Sequence, residues 1–157
     1  MRFRNIIYAI LLTALMSSCS LVISGSYPYA QAYECNVHVS TLVKLLAGLN
    51  GKNPSLEVWI TNQSDSLEVI NPADIYYYYC DFKVPIEKDS AVIMYCVINK
   101  NNEYPAVIRF DRTSPLDRST FKKINTKDFT GEENGAMKRI FENKILQSLD
   151  IDWERSN

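Results

Sequence analysis

The sequence predicts an α+β fold, in which two or three helices pack on one face of a mostly antiparallel sheet of about four strands. Two long apolar runs separated by a polar turn predict neighbouring strands. Two stretches with apolar residues at spacings of three and four predict helices. Strands and helices in this proportion favour one layered α+β domain.

The strongest strand signal lies in the middle of the chain. Residues 91–99 form a nearly continuous apolar run, "NKNNE" reads as a turn, and "YPAVIRFD" at 104–111 returns. This pattern predicts a β-hairpin with Pro105 near the start of its second strand. Because the first strand is apolar throughout, we expect it at the centre of the sheet.

A helix and a strand are predicted before this hairpin. A helix from Val39 to Leu49 would place five apolar residues on one side: Val39, Leu42, Val43, Leu46 and Leu49. The alternation in "SLEVWITNQ" predicts a strand at 56–61, and "LEVI" at 67–70 predicts its hairpin partner.

The last predicted helix begins at a capping box, Thr130 to Glu133. It runs to about Leu149 with one apolar stripe, formed by Met137, Ile140, Phe141, Ile145 and Leu149. We expect residues 112–129 to form a polar connection. The acidic tail after Leu149 is expected to fray.

Four consecutive tyrosines, Tyr76 to Tyr79, stand in the segment "NPADIYYYYC". Asn71 is a favourable N-cap and Pro72 a favourable first helical residue, which predicts a helix from about 72 to 82. Tyrosine is also a strand former, so a strand is the alternative. In either conformation one or two rings should be exposed.

The N-terminus has the layout of an export signal. Arg2 and Arg4 precede an uncharged apolar run from Ile6 to Met16, and small residues follow. The motif "LMSSC", Leu15 to Cys19, resembles the lipobox of bacterial lipoproteins. The resemblance implies that Cys19 is lipidated, with palmitate-type acylation, and becomes the first residue of the mature chain.

We divide the chain accordingly into a signal peptide over 1–18, a tether over 19–35 and an α+β domain over 36–157. Residues 20–35 show no clean period, which favours a tether. The alternative is ordinary signal cleavage after Ala32, at the A-x-A motif that begins with Ala30. That cleavage would give a soluble periplasmic or secreted protein.

Three cysteines remain in either mature chain: Cys35, Cys80 and Cys96. In an oxidising compartment they predict one disulfide and one remaining thiol. We favour the Cys80–Cys96 pair because it closes a short loop. The pairs Cys35–Cys80 and Cys35–Cys96 stay open, and so does a fold with three buried thiols.

Charge excludes one class of partner and suggests another. Loss of Arg2 and Arg4 leaves 15 basic against 18 acidic side chains, a net charge of −3, which argues against nucleic-acid binding. Residues 109–127 nevertheless carry a charge of +4, from six basic and two acidic side chains. This segment is either a loop that offsets the acidic segment after it or a docking patch for an acidic partner or lipid headgroups. Its candidate partner-binding residues are Arg109, Arg112, Arg118, Lys122 and Lys123.

The ten tyrosines supply a second candidate surface, because tyrosine is enriched where proteins bind each other. A helix over the tyrosine run would expose Tyr77 and Tyr78, while a half-buried core element is the alternative interpretation. Catalytic side chains are scarce: the single histidine, His38, is accompanied only by Cys35. We predict no enzyme activity, no cofactor and no metal site.

These observations predict an exported envelope lipoprotein that binds another envelope protein, reaches the membrane through its lipid and is not an enzyme. Ser20 after Cys19, in place of the aspartate that retains such lipoproteins, favours an outer-membrane anchor facing the periplasm. A pilotin-like secretion accessory and an immunity or inhibitor protein are the two binding roles considered. A structural lipoprotein without a tight partner is the alternative, and a carboxylate-based periplasmic hydrolase is a further one.

Overall fold

The computed structural model describes residues 27–61, 76–87 and 90–156, which build one seven-stranded sheet with helices packed on it. The predicted signal peptide, Cys19 and the strand at 67–70 lie outside these residues. In chain order the elements are β1 (Gln31–Cys35), α1 (Val39–Ala47), the short α2 (Leu49–Lys52), β2 (Glu57–Thr61), β3 (Tyr77–Glu87), β4 (Ser90–Asn99), β5 (Ala106–Pro115), β6 (Lys122–Lys123), α3 (Gly131–Phe141) and β7 (Trp153–Ser156).

The sheet has the strand order β2-β3-β4-β5-β1-β7, and β6 pairs with the end of β5 beyond β1. All pairings among the described strands are antiparallel. The α+β class and the antiparallel sheet are therefore confirmed. The prediction of about four strands is wrong, since β1, β6 and β7 are short and take their partners from distant parts of the chain.

The central hairpin follows the prediction closely. Strands β4 and β5 pair from Val92 opposite Pro115 to Ile98 opposite Ile108, and β4 lies between β3 and β5. An apolar strand buried on both sides gains most from a central position. Strand β5 continues to Pro115, into the segment predicted as a connection.

The capping box of α3 is also confirmed. The Thr130 hydroxyl accepts from the Glu133 backbone N–H at 3.2 Å, and the Glu133 carboxylate accepts from the Thr130 N–H at 2.8 Å. After Phe141 the helix widens into a π-helical turn over Glu142–Leu146 and tightens again over Gln147–Leu149. Helical structure therefore ends at the predicted residue.

The predicted helix over the tyrosine run is wrong where the structure describes it. Residues 77–87 form β3, which pairs with β2 on one side and β4 on the other. Two flanking strands satisfy the backbone groups of β3 along much of its length, which outweighs the local capping signals at Asn71 and Pro72. Those two residues lie outside the described range.

Two further predictions failed at the ends of the domain. The irregular tether was expected to reach residue 35, yet Gln31–Cys35 form β1, between β5 and β7. The tail was expected to fray, yet Trp153–Ser156 form β7 and pair with β1. Each strand is stabilised by a partner more than 60 residues away, which a local pattern cannot show.

The alternation of side chains gives the sheet two different faces. One face, which we call the inner face, packs against the helices in a single apolar core with Tyr33, Phe82, Phe110 and Phe141 at its centre. The opposite face, which we call the outer face, carries the alternate residues of the same strands. Ile93, Val97 and Val107 are buried there outside that core.

The three cysteines within the described residues, Cys35, Cys80 and Cys96, lie in the inner-face core, and the structure holds them as free thiols. Cys80 and Cys96 stand directly opposite each other on β3 and β4. Cys35 stands opposite Ala106 on β5, so β5 separates it from β4. Strands lie about 4.8 Å apart, which places Cys35 roughly 10 Å or more from Cys96, too far for a bridge.

We predict that any disulfide in the mature protein joins Cys80 and Cys96. Burial raises the pKa of the Cys80 thiol to about 12, so oxidation should occur during folding rather than in the finished sheet. Peptide mass mapping after alkylation in denaturant, without reduction, should find Cys35 alkylated in every molecule, since unfolding exposes this buried thiol. The Cys35→Ser variant should leave the map of the other two cysteines unchanged, and a bridged peptide containing Cys35 would contradict the assignment.

Candidate functional site

Five of the seven residues predicted to bind a partner belong to the outer face. Tyr77, Arg109, Arg112 and Lys123 share its strand parity, and Arg118 in the loop after β5 contacts two of its residues. Tyr78 and Lys122 belong to the inner face. Successive side chains of a strand point to opposite faces of the sheet. Candidate residues that are neighbours in the sequence, and that sequence analysis treated as one group, therefore lie on different faces.

The tyrosine run divides between the two faces in the same way. The ring of Tyr77 meets Tyr27 edge-on, with centroids 5.6 Å apart, on the outer face. Tyr78 packs against the core, and the ammonium of Lys100 lies 4.8 Å from its ring centroid. Tyr76, directly before β3, is half exposed. Tyr77 is thus the member of the predicted pair that lies on the outer face.

The central feature of the outer face is a cluster of arginines and aromatic rings, which we call the arginine–aromatic cluster. It comprises Tyr95, Arg112, Arg118 and Phe121. The Arg112 guanidinium lies 5.4 Å from the centroid of Tyr95 and 5.1 Å from that of Phe121, and the two rings meet edge-on. Arg118 lies 5.9 Å from Tyr95. These distances are within the range of cation–π contacts, which attract the guanidinium groups to the rings.

A β-bulge sets the geometry of this cluster. Tyr95 stands opposite Arg112 and Cys96 opposite Phe110, so Asp111 is an extra residue on β5. The Asp111 carboxylate lies 3.6 Å from Arg112 Nε, and its backbone carbonyl accepts from Ile124 N–H at 2.8 Å. Bulges redirect side chains. Here the bulge places a carboxylate and a guanidinium side by side and ties β5 to the segment after β6.

Two carboxylates, the partly buried Asp81 and the buried Asp111, accompany the arginines. Burial raises the pKa of Asp81, and Arg118 and Arg112 oppose that effect. Burial likewise raises the pKa of Asp111, opposed by Arg112 and Lys123. Both acids are shifted in the same direction, whereas acid–base chemistry needs two groups whose pKa values are pushed apart. Burial therefore disfavours the ionised form of both carboxylates, and the neighbouring basic side chains oppose that effect.

The arginines retain the capacity to bind further carboxylates. Arg118 reaches Asp81 through one contact of 3.4 Å, and more than half of its side chain is exposed. Arg112 is also partly exposed. Arg109 makes no side-chain hydrogen bond or ion pair within the part of the chain that is described. A guanidinium offers five donors in a planar fork, so each can engage a carboxylate through two bonds.

The lysines are less available than the arginines. The backbone N–H of Lys123 donates to Asp128 Oδ2 at 3.0 Å, and this hydrogen bond is the largest cause of the lowered pKa of Asp128. The positive charge of Lys123 lowers that pKa further. The pKa of Glu133 is lowered, first by the Thr130 N–H and also by Lys122. Lys122 and Lys123 therefore fit the first interpretation of the basic segment, in which its charges offset the acidic segment that follows.

Several residues of the outer face were missed by the sequence analysis. Trp59, Asp81, Tyr95 and Phe121 did not stand out because no short motif contains them. The signal was present in "YYYYCDFKV": read as a strand, it places Tyr77, Tyr79, Asp81 and Lys83 on one face. The ion pair between Lys83 and Glu57 extends that face to β2.

The Cys35 and His38 pair does not form a catalytic arrangement. Cys35 is completely buried, and burial raises the pKa of its thiol to about 12, so the thiolate nucleophile is scarce at neutral pH. The His38 ring stacks on Tyr104, with centroids 5.2 Å apart.

Comparison with known proteins gives no relative: no family model matches the sequence, and no curated protein or solved structure matches it. Across residues 27–61, 76–87 and 90–156, no group of three metal-ligating side chains could hold a metal ion. The helices of these residues are too short or too polar to cross a membrane.

The buried carboxylate at the bulge predicts an unusual pH dependence. The folded-state pKa of Asp111 is raised, so its stabilising contribution is present below the ordinary aspartate pKa of about 3.9 and is lost as pH rises through the folded value. The Asp111→Asn variant should therefore gain stability relative to the wild type as pH increases. Urea unfolding midpoints between about pH 3 and pH 7 measure this difference.

Asp117 provides the control with the opposite sign. The backbone N–H of Ser119 lowers the pKa of Asp117, so its stabilising contribution is present above the ordinary aspartate pKa and lost as pH falls. Asp117→Asn should lose stability relative to the wild type as pH increases. Parallel trends for the two variants would show that burial at the bulge does not govern Asp111.

Proposed function

We propose that this protein is an exported envelope lipoprotein that acts as a non-enzymatic binding module, and that the outer face of its sheet holds the partner. The observation that carries this proposal is the arginine–aromatic cluster. Arginine and aromatic side chains dominate the energy of protein interfaces, and here they lie together with partly exposed guanidinium groups.

The chemistry of the cluster defines the partner. The basic segment and the arginines of β5 face outward from a chain whose net charge is negative, so a partner with an acidic segment complements them. Trp59, Leu116 and Phe121 are each about half exposed, which adds apolar contact area beside the charges. The partner is therefore an envelope protein that presents carboxylates next to apolar side chains.

This surface favours the immunity or inhibitor role over the pilotin-like role. A pilotin-like protein would need an apolar groove long enough to receive one face of a helix. The outer face instead carries charges and rings on a sheet, which suits the blocking of a complementary protein surface. A structural lipoprotein without a tight partner remains the alternative, and the binding experiment decides between them.

Charge reversal on the outer face should weaken partner binding. The partner is first captured by chemical crosslinking of the full-length, C-terminally tagged protein in its native envelope. Arg109→Glu and Arg118→Glu should each lower affinity for the captured protein by about tenfold or more, because each removes a guanidinium and adds repulsion. Titration calorimetry with the purified partner measures the change.

The control for this experiment is Lys44→Glu, an exposed charge reversal on α1, on the other side of the sheet. It should bind as the wild type does. Equal losses in all three variants, or none, would contradict an interface on the outer face. Failure to capture any stoichiometric protein would favour the structural lipoprotein.

The position of β1 supports processing at Cys19. Cleavage after Ala32 would cut β1 between its second and third residues, and it would remove Gln31, whose side chain bonds the carbonyl of Ser156 at 3.1 Å. Cleavage before Cys19 leaves the strand whole. A lipid anchor at Cys19 is therefore the proposal more compatible with the sheet.

Protein isolated from its native envelope should begin at an acylated Cys19. Intact mass measurement and palmitate labelling report the modification, and Cys19→Ser should abolish it and release the protein from the membrane fraction. Ala32→Leu, which blocks the alternative site, should leave processing unchanged. A mature chain that begins at Tyr33 would refute the anchor.

A further inference from the structure

Two groups of charged residues lie at the two ends of the outer face. The acidic group lies where β5 begins and comprises Glu34, Asp152 and Glu154. The basic group lies further along β5 and in the loop after it, and comprises Arg109, Arg112 and Arg118. Along β5, Val107 opposite Glu34 is roughly 15 Å from Arg112, at about 3.3 Å per residue. The outer face therefore changes the sign of its charge along the strands.

The acidic group has no cation paired with it. Glu34 on β1 and Glu154 on β7 stand directly opposite each other, and with Asp152 they line an open cavity of about 310 Å³. Like charges at directly opposite positions of neighbouring strands are destabilising. Among the described residues, no basic side chain forms an ion pair with any of these three carboxylates. A cation supplied by another molecule would offset their repulsion.

The basic group has the opposite imbalance. Its three guanidinium groups are accompanied by two carboxylates, Asp81 and Asp111, and burial raises the pKa of both, which opposes their ionisation. Arg109 forms no ion pair with any residue in the described part of the chain. The acidic group lies beside Pro105 and Trp153 in its cavity, so this chain itself carries the carboxylates and apolar surface that the arginines require of a partner.

We propose that two copies of this chain associate through their outer faces, with the basic group of each against the acidic group of the other. A two-fold axis that lies between the faces and runs across the strands reverses the strand direction of the second copy. Both contacts then form at once, and the assembly closes as a dimer. Face-to-face packing is a common arrangement of two sheets. The proposal rests on the outer face that the proposed function assigns to the partner, and the two occupants would exclude each other.

The distribution of charge favours a second copy over an anionic membrane. Lipid headgroups would attract the basic group, but they would repel Glu34 and Glu154 on the same face. An acidic protein segment would likewise leave these two carboxylates without a cation. A second copy in the antiparallel orientation matches both groups together, because each end of the face meets the opposite charge.

The test uses two full-length copies with different C-terminal tags, produced together in the native envelope, solubilised in mild detergent and captured through one tag. Wild-type copies should copurify, and less so as the salt concentration rises. Arg109→Glu in both copies, or Glu154→Arg in both, should lower the copurified amount at least tenfold, because each change brings like charges together. Arg109→Glu in one copy with Glu154→Arg in the other should restore copurification, since both contacts again join opposite charges.

Lys44→Glu, an exposed charge reversal on α1, is the matched control and should copurify as the wild type does. Circular dichroism and thermal melting identify variants that fail to fold, and Arg109→Gln or Glu154→Gln, with a severalfold loss, then takes the place of the charge reversal. Sedimentation velocity should show a species of two copies.

Three results would overturn the dimer: wild-type copies that do not copurify, copurification that neither charge reversal reduces, or assemblies larger than two copies. Absence of copurification together with capture of another protein that depends on Arg118 would overturn the dimer alone and leave the proposed function in place. Copurification of the two copies without capture of any other protein would support the dimer and count against the proposed function.

Discussion

The packing of one side chain, Phe141, holds the two layers of this fold together. Its ring is fully buried and meets Phe110 at 4.8 Å, Tyr33 at 5.4 Å and Phe82 at 6.1 Å between centroids. These rings come from β5, β1 and β3, so one helical residue joins three strands. Truncation of such a buried aromatic side chain costs about 3–5 kcal/mol, a large part of the stability of a domain this size.

The next residue extends the same connection to the edge of the sheet. Glu142 accepts a hydrogen bond from the Tyr33 hydroxyl at 2.9 Å and is held by two bonds from Arg155, at 2.6 Å and 2.9 Å. Phe141 and Glu142 stand where α3 widens into its π-helical turn, which also buries Ile145 and Leu146. Because the π-helical turn is wider than an α-helical turn, Phe141 and Glu142 can face the sheet together with Ile145 and Leu146. The edge strand β7 is therefore held by the ion pair of its Arg155 with Glu142 as well as by its backbone hydrogen bonds to β1.

The sequence determines which parts of this structure could be predicted. The hairpin of β4 and β5 and the capping box at Thr130 depend on neighbours in the chain, and both were predicted correctly. β1 depends on Ile108 and Arg155, which lie far away in the sequence, β7 depends on β1 in turn, and neither strand was predicted. The tyrosine run failed for the same reason: its capping signals are local, and the ladder partners that decide its conformation are not.

The candidate site shows the same limit at the level of single residues. Composition drew attention to a basic segment and to tyrosines, but the assignment of each side chain to a face depends on strand register. A shift of one residue in β3 would exchange Tyr77 with Tyr78 and move Asp81 into the core. Neither composition nor spacing fixes that register. The pairing of Cys80 with Cys96 and the buried Phe82 beside it do fix it.

The charges of the outer face are difficult to explain by stability alone. Burial raises the pKa of both Asp81 and Asp111, so the fold disfavours their ionised forms even with Arg112 between them. A sheet face selected only for stability would gain from apolar or neutral side chains at these positions. Natural proteins accept such local conflicts mainly where a site has work to perform. The shifted carboxylates, the bulge at Asp111 and the arginines beside aromatic rings coincide in one place, and this coincidence supports the proposal that the outer face holds the partner.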